Sequence, residues 1–554
     1  MSKLIHFRTL LFLFVGFIAN SQTIIWTGAA SDNNFFTEGN WKDSVTNVVP
    51  SAGAINPGTN ISLSLQINIP ATITASGSIQ FSTGSLALGS ATVSATSLSG
   101  GNVTINQDGY LNLSATSPFL NSVQINFTSG IGWVRTTSYN PSSVSANNLG
   151  QIKVNSAASV YQTNLRLDNY YLNGCVIRAN LSAATPLTVY DGINTLGNSG
   201  SITVNTIHSG NAIAGSMNNK IKSFVLKKGF MATFAIEDDG TGKSKNYIAS
   251  ETDLVINTLP VALRNSISFI RVMPWNWVNK RGRTDDGTSP GTDLTSTWRY
   301  RWSNTHNSTL DWEYAPMAWG YTGANDAGDI TLYINKYKTT HIMSFNESDA
   351  CEGQSGQYPG GPTQYKLCNP DVAVTYHKNL MKTGMRIVSP GCREEAPFGW
   401  LEEFNIKCAA QDIRVDVIAV HWYDWGAVLD SNTSNDTGLS AYNRFVSYIT
   451  NVYALYGLPI WITEFNANPA RSAAVNLDFM NRALPYLESL SYVERYNWFA
   501  DSDGIDSNSL YQGTTTTLTP LGNAYVNQVS TPSIATNTVN INNNLTLTTC
   551  QNCN

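Results

Sequence analysis

Between Asp43 and Asp108 the chain carries no charged residue. Short alternating runs fill that stretch and continue to about Gly215: ISLSLQINI, ATITAS, SIQFS, NVTINQDGYLNLSA, SVQINFTS and QIKVNSAASVY. Alternation at period two marks strands buried on one face. Asn, Gly and Ser punctuate the runs as turns. Many short strands between small polar turns predict an all-β unit over residues 22–217, a right-handed parallel β-helix in preference to a sandwich. No aromatic cluster marks a binding face here. A glycan-binding or spacing module and a scaffold without a ligand are both open.

The pattern changes near Asn218. Lys220, Lys222, Lys227 and Lys228 bring charge back. From Ile248 onward, strand-like runs alternate with helical ones, as in an α/β fold. The strands read as FIRVM (269–273), TWRYRW (297–302), YAPM (314–317), HIMSF (341–345), RIVSP (386–390), DVIAVHWY (416–423), PIWITEF (459–465) and RYNWFA (495–500). Helical spacing joins Ile330, Tyr333, Ile334 and Tyr337. It also joins Tyr442, Phe445, Ile449, Val452 and Tyr456 ahead of Gly457. Asn369-Pro370 is a cap with a first-turn proline, and Pro485 should kink a helix that begins near Leu477. Eight strands with helices between them predict a (β/α)₈ TIM barrel over residues 218–530, followed by a polar tail, 531–554. FIRVM is either the first barrel strand or lies outside the barrel.

On that count Glu347 follows the fourth strand and Glu464 ends the seventh. Carboxyl ends of barrel strands carry the chemistry of such folds. Two carboxylates facing each other there are the machinery of glycoside cleavage, one protonating the leaving oxygen and the other attacking or activating water. Glu347 is expected to be the acid/base and Glu464 the nucleophile. The charge of Glu464 is expected to raise the pKa of Glu347 and keep it protonated. Asn346 can hold a sugar hydroxyl. His421 and Tyr423, two apart at the end of the sixth strand, point to one face. Tyr300 and Trp302, with Trp275 and Trp498, are candidates for packing on the apolar faces of sugar rings, and Trp319 and Trp425 lie in loops after strands. Glu394 or Glu395 could line a subsite.

Several classes are excluded by what the chain lacks. Its net charge is −5 with no block of Lys or Arg, which argues against nucleic acid and anionic membrane partners. The six histidines are scattered, so neither a catalytic metal nor a cofactor is expected. Lys3 and Arg8, the apolar run Leu10 to Ala19 and the small residues before Gln22 read as a signal peptide, 1–21, and hence export. The seven cysteines suit that destination. Cys351, Cys368, Cys392 and Cys408 are disulfide candidates as two local bridges, and Cys550-Gln551-Asn552-Cys553 could close a small ring.

The segments TWRYRW, YAPMAWG, MSFNESD, RIVSPGC with GWLEEF, DVIAVHWYDW, IWITEFN and VERYNWFAD, in this order, resemble the Asl1-like glycoside hydrolases, glycoside hydrolase family 128. The resemblance covers roughly residues 296–528. It implies a (β/α)₈ barrel, a retaining endo-β-1,3-glucanase activity, Glu347 as acid/base and Glu464 as nucleophile. Where that family reads Asn-Glu-Pro-Asp, this chain has Ser348 in place of proline. The expected function is therefore secreted hydrolysis of a laminarin-like β-1,3-glucan. The alternatives are another β-linked algal or plant polysaccharide as substrate, and a glycan-binding protein without catalysis.

Overall fold

The computed structural model describes residues 22–58, 60–284, 295–429, 437–500, 507–513 and 515–535. The expected signal peptide and Cys550 to Cys553 lie outside these residues.

The N-terminal strands stack turn upon turn. Ser64–Ile67 pairs in parallel with Ser85–Leu88, which pairs with Asn102–Ile105, which pairs with Gln124–Phe127. A second sheet stacks Thr72–Thr74, Thr92–Ala95, Tyr110–Leu113 and Trp133–Thr136 in the same manner. A third takes Ile79–Gln80, Leu98–Ser99 and Phe119–Leu120. Each turn of chain gives one strand to each sheet. Alternation works as the sequence predicts: Leu65, Ile67, Leu86, Leu88, Val103 and Ile105 all point into a dry core. The ends of the first stack are closed by antiparallel strands, Trp41–Asp43 on Thr23–Trp26 and Ala157–Ala158 on Ile152–Val154.

A third core interrupts the expected boundary at residue 217. Residues 187–274 form two antiparallel four-stranded sheets with their own apolar cluster, including Leu187, Phe224, Phe234 and Val272. FIRVM belongs to it: Phe269–Pro274 pairs antiparallel with Phe230–Ala235. Its strands are short and apolar like their neighbours on both sides, so composition alone did not separate them.

Beyond it, parallel pairings run through Arg283–Thr284, Trp298–Tyr300, Glu313–Ala315 with Met317–Trp319, His341–Phe345, Arg386–Val388, Ile418–Trp422, Ile460–Phe465 and Val493–Trp498. Parallel bridges Val388 to Val417 and Arg281 to Tyr496 join the fifth strand to the sixth and the eighth back to the first. Helices cover the outside, and three of them start at a side-chain cap: Asn369 before Pro370–Leu380, Thr437 before Gly438–Tyr456, Ser472 before Ala473–Ser489. Such caps satisfy amide groups that the first helical turn leaves free. Pro485 sits within the last of these helices, and Gly457 ends the second at φ 60°.

The strand starts carry a buried ionic cluster instead of aliphatics. Arg386 grips Glu494 with two hydrogen bonds of 2.5 and 2.8 Å, and Arg495 meets Glu313 at 2.8 Å. His341 lies between them, and Trp461 and Trp298 pack over the Arg495 guanidinium. Arg495 holds Glu313 far below the usual carboxylate range despite its burial. Removing one partner of such a pair costs about 3–5 kcal/mol, because the other charge is left alone.

Cys351 and Cys368 are joined as a disulfide. Cys392 and Cys408 are not: both are free and buried. Cys392 bridges to Val420 of the sixth strand, whereas Cys408 lies on the buried face of helix Trp400–Ala410. Each thiol fills a packing position on its own element, as buried cysteines commonly do.

Candidate active site

The fourth strand ends at Phe345, and the chain then turns sharply. Glu347 adopts φ 45°, a left-handed conformation that is uncommon for a residue with a side chain. Its amide donates to Gly391 O at 2.7 Å, which ties the turn to the loop after the fifth strand. Arg393 on that loop grips Asp349 at 2.7 Å, so the turn is pinned on both sides of the carboxylate. Ser348 is fully buried, and its hydroxyl meets no partner.

His421 stands between the two glutamates. Its Nδ1 donates to Glu347 Oε1 at 3.0 Å, and its Nε2 points at Glu464 Oε1 from 3.5 Å without forming a hydrogen bond. Glu464 accepts from Trp302 Nε1 at 2.9 Å and from Tyr423 OH at 2.5 Å. Donor atoms of Glu347, His421 and Glu464 all lie within 4.8 Å of one another. These residue types are also those of a metal site, but both carboxylates are already engaged by side-chain donors.

The electrostatics correct one expectation. Burial would raise the pKa of Glu347, but the His421 hydrogen bond and charge, with Arg393 behind, bring it below the ordinary value. Burial would lower His421, yet the carboxylates of Glu464 and Glu347 raise it. The Glu464 charge does not raise Glu347 above its ordinary value, because the imidazole that lies between the two carboxylates favours their charged forms. Burial, then the Glu464 charge, pushes the Tyr423 phenol far up, so it remains a donor.

A cavity of about 460 Å³ opens over this group. Asn346, Glu347, Tyr423, Glu464 and Trp302 line it, as do Trp319 and Trp425, which were expected in loops but stand at the end of the strand Met317–Trp319 and at the start of a short helix, Trp425–Leu429. The buried Asn346 Oδ1 has no hydrogen-bond partner within the protein. Three other candidates do not reach the cavity. Tyr300 is buried beneath it and donates to Thr463 O at 2.8 Å, supporting the strand that presents Glu464. Trp498 is packed inside and donates to Asn508 O at 2.7 Å. Trp275 is buried against His341, at the start of the fourth strand. Aromatic residues near strand ends point to sugar packing only when their side chains face outward, which spacing along the chain does not reveal.

Sequence reasoning missed Gln354, Asn466, Phe499 and Asn508, all in the cavity wall. Asn466 follows Glu464 by two residues and thus shares its side of the strand, a signal that was present. Glu394 does not line the cavity. It accepts from the amides of Tyr423 at 2.9 Å and Gly426 at 3.3 Å, which fixes the turn into the short helix that begins at Trp425.

Residues 275–525 match the family described as glycosyl hydrolase catalytic core. This part of the chain is similar to a glycosyl hydrolase catalytic core. Alkali-sensitive linkage protein 1 of Schizosaccharomyces pombe is 27% identical to the chain over 263 residues. The match spans 43% of the chain and 43% of the length of that curated relative. Among solved structures, a GH128 (subgroup I) endo-β-1,3-glucanase from Amycolatopsis mediterranei in complex with laminaritriose is 28% identical. The match covers 45% of this chain and 98% of that one, with a TM-score of 0.36. A subgroup II endo-β-1,3-glucanase from Sorangium cellulosum is 22% identical over 45% of this chain and 98% of its own, with a TM-score of 0.37. The matched region contains both glutamates, His421, Tyr423 and every residue that lines the cavity.

Proposed function

We propose that the chain is a secreted, retaining endo-glycosidase that hydrolyses β-1,3-glucan of the laminarin type. The observation that carries this reading is the carboxylate pair: oxygens of Glu347 and Glu464 lie within 4.8 Å of each other at the floor of an aromatic-walled cavity. Retaining enzymes keep their carboxyl groups about 5–5.5 Å apart, whereas inverting ones leave about 6.5–9.5 Å for a water. In this reading the core is a (β/α)₈ barrel on a parallel β-helix. The ring of parallel pairings and the three stacked sheets support those assignments. Export rests on the character of residues 1–21; among the described residues no helix is long and apolar enough to cross a membrane.

In the reaction, Glu464 Oε attacks the anomeric carbon while the leaving oxygen takes a proton from Glu347. The bond to the leaving sugar breaks, and a glycosyl ester forms on Glu464. Glu347 then draws a proton from water, which attacks the same carbon and frees Glu464 with the original configuration. His421 and Glu347 share the proton that starts this sequence, and their titration belongs to the pair. Tyr423 and Trp302 hold the nucleophile in line.

A reducing-end assay on β-1,3-, β-1,4- and mixed-linkage glucans tests the reading, with proton NMR reporting the configuration of the first product. Release from β-1,3-glucan with retained configuration is expected. Glu464→Gln and Glu347→Gln should each lose at least about a hundredfold in kcat on a natural polysaccharide. Full activity in both variants, or an inverted product, overturns it.

A further inference from the structure

Outside the catalytic group, the loop between Glu347 and Asn369 is built with unusual firmness for an exposed connection. Cys351–Cys368 closes it covalently. Trp400 Nε1 donates to Cys368 O at 2.8 Å, anchoring it to the helix below. Lys366 Nζ reaches back to Cys351 O at 3.1 Å. Inside, Leu367 N donates to Tyr358 O at 2.7 Å, and Tyr358 N donates to Ser355 O at 3.1 Å. Ordering a loop costs about 1–2 kcal/mol per residue, so this bracing preserves one particular shape.

That shape presents an aromatic ring beside the cavity. Tyr358 is 41% exposed, and its ring lies 5.9 Å from that of Trp319 with the planes inclined at 53°. Trp319 lines the cavity and holds φ 64°. Gln354, on the same loop, holds φ 47° and accepts from Asn346 Nδ2 at 3.3 Å. Side-chain-bearing residues in this conformation gather where a site needs a particular orientation. The loop is therefore mechanically continuous with Asn346 and Glu347, and its aromatic ring continues the cavity wall outward.

We propose that Tyr358, held by the Cys351–Cys368 loop, is a sugar-stacking position beyond the reacting pair, which lengthens the stretch of β-linked glucan the site grips. This rests on the reading that the cavity binds glucan. A glucosyl ring of a β-linked chain offers apolar C–H faces to an aromatic plane, and Trp319 and Tyr358 form two successive planes. The ring, not the phenol hydroxyl, makes the contact.

The test measures kcat and KM of the full chain on β-1,3-gluco-oligosaccharides of three and of six units. Tyr358→Ala should raise KM for the six-unit substrate about fivefold, ~1 kcal/mol, at unchanged kcat, and leave the three-unit substrate unaffected. Tyr358→Phe should restore the parent value. Cys351→Ser with Cys368→Ser should repeat the alanine result. Equal changes on both substrates, no change on either, or failure of phenylalanine to rescue would each overturn the assignment. If the parent cleaves neither substrate, the proposed reaction falls, and the stacking position is judged by retardation of the same variants in gels containing soluble β-1,3- or β-1,4-glucan. Weaker retardation of Tyr358→Ala than of the parent and Tyr358→Phe upholds it. Equal retardation, or none for the parent, overturns it.

Discussion

His421 is the side chain through which the two carboxylates sense each other. It is fully buried, donates to Glu347 and faces Glu464. Its removal should release Glu347 to the effect of burial. In His421→Phe the Glu347 titration is expected to move to higher pH, read by carbon-13 NMR of glutamate labelled at the carboxyl. An unmoved titration would assign the low value to Arg393 instead. Gly391 gives a second handle on the same imidazole. A Cβ at this position would lie 3.0 Å from His421 Nε2 and 3.3 Å from Thr463 Oγ1. Gly391→Ala should push the ring aside by a few tenths of an ångström and lower kcat, by less than the roughly hundredfold that a 1 Å misplacement can cost, with little loss of thermal stability. Both glutamates were legible in the sequence because an apolar run that ends abruptly in a carboxylate needs a reason. His421 and Tyr423 were legible from their spacing of two. The place of the imidazole between the carboxylates was not, since it depends on the sixth strand lying beside the seventh and on the turn at Glu347. For the same reason Tyr300, Trp275 and Trp498 looked like sugar platforms while serving as packing.

Helix Pro370–Leu380 is docked by an imidazole of a different kind. His377 Nδ1 meets Ser344 Oγ at 3.0 Å and its Nε2 meets Arg414 O at 3.2 Å, with no exposure to solvent. Burial lowers its pKa to about 4. The folded chain thus binds this proton less readily than the unfolded one, so stability rises with pH across the interval. The contribution is complete above about 6.5 and is lost as the pH falls through about 4, on the order of 3 kcal/mol. His377→Gln should flatten the fall in Tm between pH 6.5 and 4, measured by calorimetry; an equally steep fall would assign it to His341, which burial also lowers to about 4. Helices such as this one were readable because cap, apolar stripe and stop agree with one another. The first strand of the ring was not. Arg283–Thr284 is two residues long and polar, with the Arg283 guanidinium over the Tyr511 ring, whereas an apolar pattern was the signal sought.

At the scale of the molecule, the three cores are fastened by buried polar groups. Lys338, just before the fourth strand, extends into the stacked strands and donates to Asn169 Oδ1 at 2.8 Å, Leu310 O at 2.7 Å and Thr309 O at 3.2 Å. Burial brings its pKa down to about 8. Arg271 of the middle sheets donates to Ile334 O at 2.8 Å, and Thr233 donates to Gly384 O at 2.6 Å. Lys338→Met should destabilise the whole chain by about 3 kcal/mol in denaturant unfolding, since three acceptors lose their donor. A single shared transition is expected in the parent, and two transitions would show that the cores unfold separately. The sequence revealed a β-rich half and an α/β half, but not the middle core, whose strands differ from their neighbours in partner and not in composition. One further consequence concerns length. The stacked turns use about twenty residues each, as Ser64 to Ser85 and Thr72 to Thr92 show, and only antiparallel strands at the two ends stop the series. Each turn advances the stack by about 4.8 Å. The N-terminal region is therefore a ruler graduated in turns: duplicating one internal turn would lengthen it by a single graduation while leaving the closing strands and the seat of Lys338 as they are.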